Sequence, residues 1–503
     1  MPAMLNETVM NGAQASCTPG GGDAAPELNV LLLYHSRQTF TNTVFEHVDA
    51  FARFSSHRYF FCHHDESDPF LVDLSKFDAV VIHYCLRMPM DQVSAQAAQR
   101  LAAFEGTKVL FLQDEYESTY RTWHWIERLG IDLVFTVVPQ PHVARIYPPE
   151  RFPRTRFVSN LTGYVPEAVA EARAVLPPSQ RSTLVGYRGR HLPLIYGALG
   201  REKVGVGLLV RAYCERHGLP HDIEWREEAR IYGEAWYPFV ASCRAMLGSE
   251  SGANVFDWDG TLRSRIATWL AEHPDATEDE AYQTVVRPLE MPGLMNQVSP
   301  RIFEAIALRT VLVLFEGSYS GVVEPWTHYI PLRKDGSNLD EVFRLLQDGD
   351  FVDAMSERAW RDVIGSGRYA YSAFIRMVDQ ELLACHAASL AARAPEGSRH
   401  ALLQGGQGHP TDLTTLPIRC PPPVAAVPVE PPNPEPIPVA PAEPLSRWNR
   451  LRQAAVLVWS CLPRPAQNAL RPIVNGVLRP MARALHRRRR DRLQRRRTTA
   501  AHK

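Results

Sequence analysis

The strongest constraint on the fold is an alternation. "LNVLLLY" (28–34), "DAVVIHY" (78–84), "KVLFLQ" (108–113) and "DLVFTVV" (132–138) are short, almost unbroken apolar runs, separated by amphipathic stretches at 40–54, 90–104 and 119–129. Strands buried on both faces read as continuous apolar runs, and the intervening helices supply the cover. The chain is therefore expected to be α/β, with a parallel sheet between helical layers. A Pro-bearing connection, "LTGYVPEAVAEARAVLPPSQ" (161–180), ends this block. "TLVGYRGR" then opens a second one, continued by a helix near 203–217, "CRAMLGS" (243–249), the segment 299–317 and "EVFRLLQ" (341–347). Two successive α/β domains, 28–165 and 180–395, imply a cleft between them and a ligand that bridges both. In such sheets the ligand-contacting groups stand just beyond the strand C-termini. Those positions hold His35, Ser36 and Arg37, then His83 and Arg87, then Gln113, Asp114 and Glu115.

The flanks differ in kind. Residues 1–27 read as a disordered leader, without the charged start and apolar core of a signal peptide. Residues 408–445 hold 13 of the 40 prolines, a polyproline-type linker. The last 58 residues carry 16 Arg or Lys and one acidic residue, so the rest of a formally neutral chain is acidic by about 15 charges. Trp448, Trp459 and a Val/Leu cluster among these arginines suit an amphipathic segment on an anionic membrane surface. Nucleic-acid binding would use the same charge without needing that apolar surface, so no nucleic-acid partner is expected. Eight scattered cysteines without a C-x-x-C pair fit a reducing compartment. No run approaches the roughly 18 apolar residues needed to span a bilayer. A cytoplasmic protein, peripheral on the inner membrane through 446–503, is the expectation.

"SPRIFEAIALRTVLVLFEG" (299–317) is the most informative segment. Ser299 and Pro300 are a helix start, the helix they begin is almost wholly apolar, and "TVLVLF" reads as a buried strand. Glu304 stands inside that helix, where a carboxylate is expensive unless something satisfies it. A helix N-terminus offers free N–H groups and about half a positive charge to a phosphate. A carboxylate one turn along can accept from both hydroxyls of a ribose. Pairing of Glu304 with Arg301 or Arg309 for structure alone is the alternative. "GYRGRHLPLIYGALGREK" (186–203) adds Gly186 for close backbone approach and Arg188, Arg190 and Lys203 as cations for a diphosphate.

The segment 299–317 resembles the donor-binding part of two-domain glycosyltransferases of the GT-B fold, of the group 1 type, especially the group similar to spore-maturation-protein glycosyltransferases. The resemblance covers 180–350 best. It implies two Rossmann-like domains facing a cleft, the second holding a nucleotide-sugar donor and the first an acceptor. It also implies a diphosphate at Ser299 and Arg301, a ribose on Glu304, and phosphate contacts from Arg188 and Lys203 with Arg190 behind them. Many members carry a second Glu eight positions before the first, where this chain has Asn296. The implied activity is transfer of a hexosyl-type group to a hydroxyl of a bacterial surface glycan or lipid-linked acceptor, without a metal or cofactor. In the first domain His83, Asp114 and Glu115 are the candidate catalytic groups, as base or as polar contact to the sugar.

"ANVFDWDGTL" (253–262) points elsewhere, because it matches the D-x-D-G-T signature of magnesium-dependent haloacid-dehalogenase-type phosphatases, with Asp257 as nucleophile and Asp259 as acid/base. That chemistry needs Asp257 at the end of a buried strand, and "SESGANVF" is a poor one. A non-catalytic two-domain scaffold at the membrane is the other alternative. "CHHDE" (62–66) invites a metal, but adjacent histidines on a strand point in opposite directions, and a loop is the simpler reading.

Overall fold

The structure, a computed structural model, describes residues 26–35, 42–170 and 175–393. Most of the leader, Ser36, Arg37, the Pro-rich linker and the basic tail lie outside the described residues. The four apolar runs of the first block form β1 (Asn29–Tyr34), β3 (Ala79–Ile82), β4 (Thr107–Phe111) and β5 (Leu133–Thr136). They are joined by β2 (Arg58–His63) and β6 (Arg156–Ser159) in a parallel sheet of order β2-β1-β3-β4-β5-β6. Helices α1 (Asn42–Phe54), α2 (Ala95–Ala103) and α3 (Thr119–Leu129) cover it. Ser94 starts α2 by accepting from Ala97 N, the satisfied helix end that a Ser N-cap provides.

The second sheet comprises β7 (Thr183–Arg188), β8 (His221–Glu224), β9 (Cys243–Gly248), β10 (Val311–Phe315) and β11 (Tyr329–Leu332), parallel, in the order β11-β10-β9-β7-β8. Around it run α4 (Gly197–His217), α5 (Trp236–Ser242), α6 (Leu262–Glu272), α7 (Pro300–Ala307), α8 (Leu339–Gln347) and α9 (Gly349–Ala359). Both sheets are wound alike, with the chain reversing direction across the sheet between β1 and β3 and again between β7 and β9. Such reversal points open a crevice beyond the strand C-termini.

Two segments join the domains. The stretch between β9 and α7 leans on the first domain: Asp257 N donates to Tyr116 O (2.8 Å) and Tyr120 N to Trp258 O (2.8 Å). Phe256, Leu294 and Met295 lie in one apolar cluster with Leu110 and Trp125. The last described helix, α10 (Tyr371–Arg393), crosses back. Tyr371, Phe374, Ile375, Val378 and Leu382 recur at helical spacing, and this stripe is buried with Val30, Val81 and Phe111 of the first sheet. The helix thus completes the first core rather than the second, because that face of the first sheet would otherwise expose its apolar side chains. Among the described residues no helix is long and apolar enough to cross a membrane.

Candidate functional site

A pocket opens at the reversal point of the second sheet, between the ends of β7 and β9. Tyr187, Gly248 and Ser249 come from the strand ends, Lys203 from α4, Trp236 from α5, and Ser299, Arg301 and Ile302 from the start of α7. Ser299 has the extended backbone of an N-cap (φ −92°, ψ 139°), but its hydroxyl makes no capping bond. The expected side-chain cap is absent, so the first-turn N–H groups have no hydroxyl partner from Ser299. Ser249 Oγ, also buried, finds no hydrogen-bond partner among the described residues. A pocket lined by an uncapped helix start and an unused hydroxyl is prepared for a polar guest.

Glu304 is buried one turn inside α7, and its Oε2 accepts from Trp236 Nε1 at 2.6 Å. Burial pushes its carboxyl pKa up, while the indole hydrogen bond and the Arg301 charge oppose the shift. Neither Arg301 nor Arg309 forms an ion pair with it. Arg309 pairs with Glu357, and Arg301 lies over the Trp236 ring (5.2 Å) while donating to the Arg188 carbonyl. Trp236, which stands 68 residues before its partner, carries no signal of this role in the sequence.

Lys203 is the pocket's second cation. Its Nζ donates to Ser249 O and Ser251 Oγ, both at 3.2 Å. Burial, reinforced by Arg301, brings its pKa down to about 7, with Arg190 adding to the effect and Glu202 and Glu250 opposing it. Arg190 itself is exposed and does not line the pocket. A lysine poised at neutrality next to two guanidiniums gains most from an arriving anion.

Other expected donor contacts are corrected. Arg188 turns away from the pocket: it donates to Ala229 O (3.0 Å) and Asp222 O (2.9 Å), pairs with the Asp222 carboxylate (2.8 Å) and lies over Phe239 (4.3 Å). Its place at the end of β7 beside β8 makes it a strand tie, its guanidinium committed to those partners instead of a phosphate. Gly186 sits within β7, where a Cβ would lie 2.3 Å from Cys243 Sγ and 3.1 Å from Met246 Sδ. Its smallness serves packing against the neighbouring strand, not approach to a ligand. Gly186→Ala should therefore cost about 1–3 kcal/mol of stability by overpacking, read as a lower denaturant midpoint, with nucleotide affinity unchanged.

Asn296 makes no cation contact among the described residues. Its Oδ1 accepts from Asn254 Nδ2 (2.6 Å) and its amide donates to Glu250. Glu250, buried two residues beyond β9, also accepts from Ser318 N (2.9 Å), Ser318 Oγ (2.9 Å) and Tyr319 N (2.8 Å). It ties the loops after β9 and β10 to each other, next to the pocket residue Ser249. Sequence reasoning passes over it; the only signal is a carboxylate two residues past a strand end.

The first-domain candidates separate. His83 is fully buried: its Nδ1 accepts from Cys85 N (3.2 Å), which leaves Nε2–H to donate to His47 Nδ1 (2.9 Å). Burial and the His47 neighbour hold its pKa well below the usual imidazole range. It is a neutral core histidine rather than a base. Glu115 is likewise enclosed, accepting from Thr136 Oγ1 (2.7 Å), Val137 N (2.7 Å) and the Tyr147 hydroxyl. Burial raises its pKa against those bonds, and it braces the end of β5 instead of reaching a substrate. Asp114 alone is half-buried, with a left-handed backbone (φ 56°), accepting from Tyr116 OH at 2.6 Å. Three residues on, Glu117 meets Arg87 (3.3 Å), Arg263 (3.7 Å) and the Tyr196 hydroxyl (2.9 Å), an ionic link between the domains.

The phosphatase constellation is not assembled. β9 ends at Gly248, and Asp257 follows an irregular stretch, its carboxylate accepting from Leu262 N (3.1 Å) at the start of α6. Asp259 closes a turn on Thr261 N (3.0 Å) and Thr261 Oγ1 (2.7 Å). Both acids organise a helix start. His63, the last residue of β2, and Asp65 and Asp68 beyond it have ligand-type atoms within 4.8 Å of one another, so "CHHDE" straddles a strand end.

No family model matches the sequence, and no curated protein matches it. Among solved structures, an α-glucosyltransferase in complex with UDP and a 13-mer DNA aligns over 71% of this chain and 100% of its own, at 9% identity and a TM-score of 0.43. T4 phage BGT in complex with UDP-glucose aligns over 71% and 99%, at 11% identity and 0.39. Anabaena HepE in complex with UDP and glucose aligns over 71% and 100%, at 10% identity and 0.36. The chain's own topology is that of two doubly wound α/β domains joined by a returning helix, the class of architecture expected from the sequence.

Proposed function

We propose that this protein is a glycosyltransferase that moves a sugar from a nucleotide-sugar donor, held chiefly by the second domain, to a hydroxyl acceptor held by the first. The observation that carries this reading is Glu304. It is a buried carboxylate in an apolar helix, bonded among the described residues to one indole, beside a pocket rimmed by Lys203, Arg301 and Ser249. The second carboxylate oxygen of such a group is free to accept from ribose hydroxyls. One turn earlier the helix start, Arg301 and Lys203 receive the diphosphate, and they stabilise the negative charge that grows on it as the sugar departs. Arg190 screens the same anion from outside the pocket. On this reading protein cations and the helix dipole supply the electrostatic stabilisation that a metal supplies elsewhere.

The acceptor we assign is a growing bacterial surface glycan or a lipid-linked intermediate, with 446–503 holding the enzyme at the anionic inner face of the membrane. Uridine nucleotides, the ligands of the three solved structures above, are the first probes. UDP at 100 times its dissociation constant should stabilise the protein by about 2.7 kcal/mol, visible as a rise in melting temperature. Absence of a shift with every nucleoside diphosphate would exclude the reading. Turnover of the donor separates an enzyme from a scaffold that merely binds it.

A further inference from the structure

Lys203 is a buried cation that no carboxylate meets among the described residues. The two acids that act on its charge are committed elsewhere: Glu202 pairs with Lys334, and Glu250 accepts from Ser318 N, Tyr319 N and the Asn296 amide. Arg301 and Arg190 add like charge, and the Tyr187 hydroxyl is bonded to the Lys203 carbonyl (2.7 Å) rather than to the amine. Only two neutral oxygens accept from Nζ among the described residues, the Ser249 carbonyl and the Ser251 hydroxyl, both at 3.2 Å. An ammonium carries three N–H donors. The third is left for a guest, and Lys203 lines the pocket.

The Ser251 hydroxyl is placed by its backbone. Ser251 N donates to Gln297 O (2.7 Å) and Gln297 N to Ser251 O (2.9 Å), an isolated antiparallel bridge between the loop after β9 and the segment leading into α7. Gln297 is buried and fixed in turn, its amide donating to Val137 O just beyond β5 and its Oε1 accepting from Ser320 Oγ (3.1 Å). Gly252 (φ 92°) then carries the chain so close to Met295 that a Cβ would lie 2.0 Å from the Met295 carbonyl oxygen, a turn that only glycine makes without strain. One bridge therefore sets both the approach to α7 and the oxygen that meets Lys203.

We propose that Ser251 is a positioning residue for the donor: its hydroxyl accepts from the Lys203 ammonium and holds that cation charged and turned to the diphosphate at the start of α7. The inference rests on the glycosyltransferase reading above. Ser251 acts through the lysine and does not itself line the pocket. A charge-assisted bond favours the ammonium over the amine, and so works against the burial and the Arg301 charge that bring the Lys203 pKa down to about 7. Removing the hydroxyl drives the lysine toward its neutral form and lowers donor affinity most at neutral and alkaline pH. A serine that only kept the loop in shape would, when replaced, lower affinity alike at every pH.

Calorimetric titration with UDP-glucose across pH tests this. In the wild type the affinity should begin to fall near pH 7. Ser251→Ala should move that break to the acid side by about one to two pH units, the pKa equivalent of a hydrogen bond to a charged group. Its affinity at pH 7 should be about 5- to 50-fold below wild type and should recover toward the wild-type value as the pH is lowered. Ser251→Thr keeps the hydroxyl and should keep the wild-type break. Ser251→Cys, whose thiol is a weak acceptor, should shift the break in the same direction as alanine by a smaller step, and decides the matter if the alanine variant fails to fold. A break that stays in place or moves to the alkaline side, a loss of affinity equal at every pH, or a wild-type affinity without a break would overturn the proposal. Failure of the wild type to bind UDP-glucose at any pH would instead remove the glycosyltransferase reading itself.

Discussion

Glu304→Ala is expected to weaken UDP binding by about 10- to 150-fold, since hydrogen bonds to a charged group contribute roughly 1.5–3 kcal/mol and each 1.4 kcal/mol is a factor of ten. The variant also leaves Trp236 Nε1 without its acceptor in a buried site, so some stability goes with it. Glu304→Gln separates the two effects. A glutamine keeps a carbonyl oxygen for the indole, but its amide cannot accept from a ribose hydroxyl as the second carboxylate oxygen can. If Glu304 serves structure alone, Glu304→Gln binds UDP as the wild type does. If it holds the ribose, Glu304→Gln keeps the melting temperature and loses most of the affinity. Calorimetric titration with UDP and a thermal melt of each variant decide between them.

Lys203 gives the second large effect, and its sign follows from its depressed pKa of about 7. In the free protein the amine is charged below that pH and neutral above it. An anion in the pocket favours the charged form, so binding takes up a proton. Affinity is then highest on the acid side and falls as pH rises above 7, by up to about tenfold per unit until the pKa of the complex is reached. UDP-glucose is the proper ligand for this measurement. The terminal phosphate of UDP titrates near pH 6 and would add a slope of opposite sign, whereas a diphosphate esterified at both ends does not. Calorimetry in buffers of different ionisation enthalpy should register the proton uptake, and Lys203→Met should remove it along with the pH slope. The unliganded protein supplies a cross-check. Between about pH 7 and the ordinary lysine range the unfolded chain holds a proton that the folded state has lost, so stability rises with pH across that window. A flat affinity profile in the wild type would show that Lys203 does not meet the phosphates.

Much of the architecture is legible in the sequence because physics writes it locally. β1, β3, β4 and β5 lie inside the sheet, buried on both faces, and so appear as unbroken apolar runs. β2 and β6 are not legible. They are the two edges of that sheet, and "RYFFCH" and "RFVS" carry an exposed Arg at one end and half-buried polar residues at the other. α10 follows the second domain in the chain but packs on the first, and its apolar stripe specifies that a sheet face is needed, not which one.

The site divides along the same line. A charge inside an apolar helix cannot go unanswered, so Glu304 stands out in the sequence, as do the helix start and the lysine near the opening strand of the second domain. The direction in which each neighbouring polar group points is beyond the sequence. Asp114 and Glu115 are consecutive, yet the left-handed turn at Asp114 sends Glu115 into its own core. Arg188 meets Asp222 on the adjacent strand, and His83 meets His47 on a covering helix. Periodicity and local cost therefore determined that there are two wound domains and that an acid lies inside the apolar helix α7. Only the tertiary fold chose its partner, Trp236, from 68 residues away, because that contact depends on how separately specified elements pack.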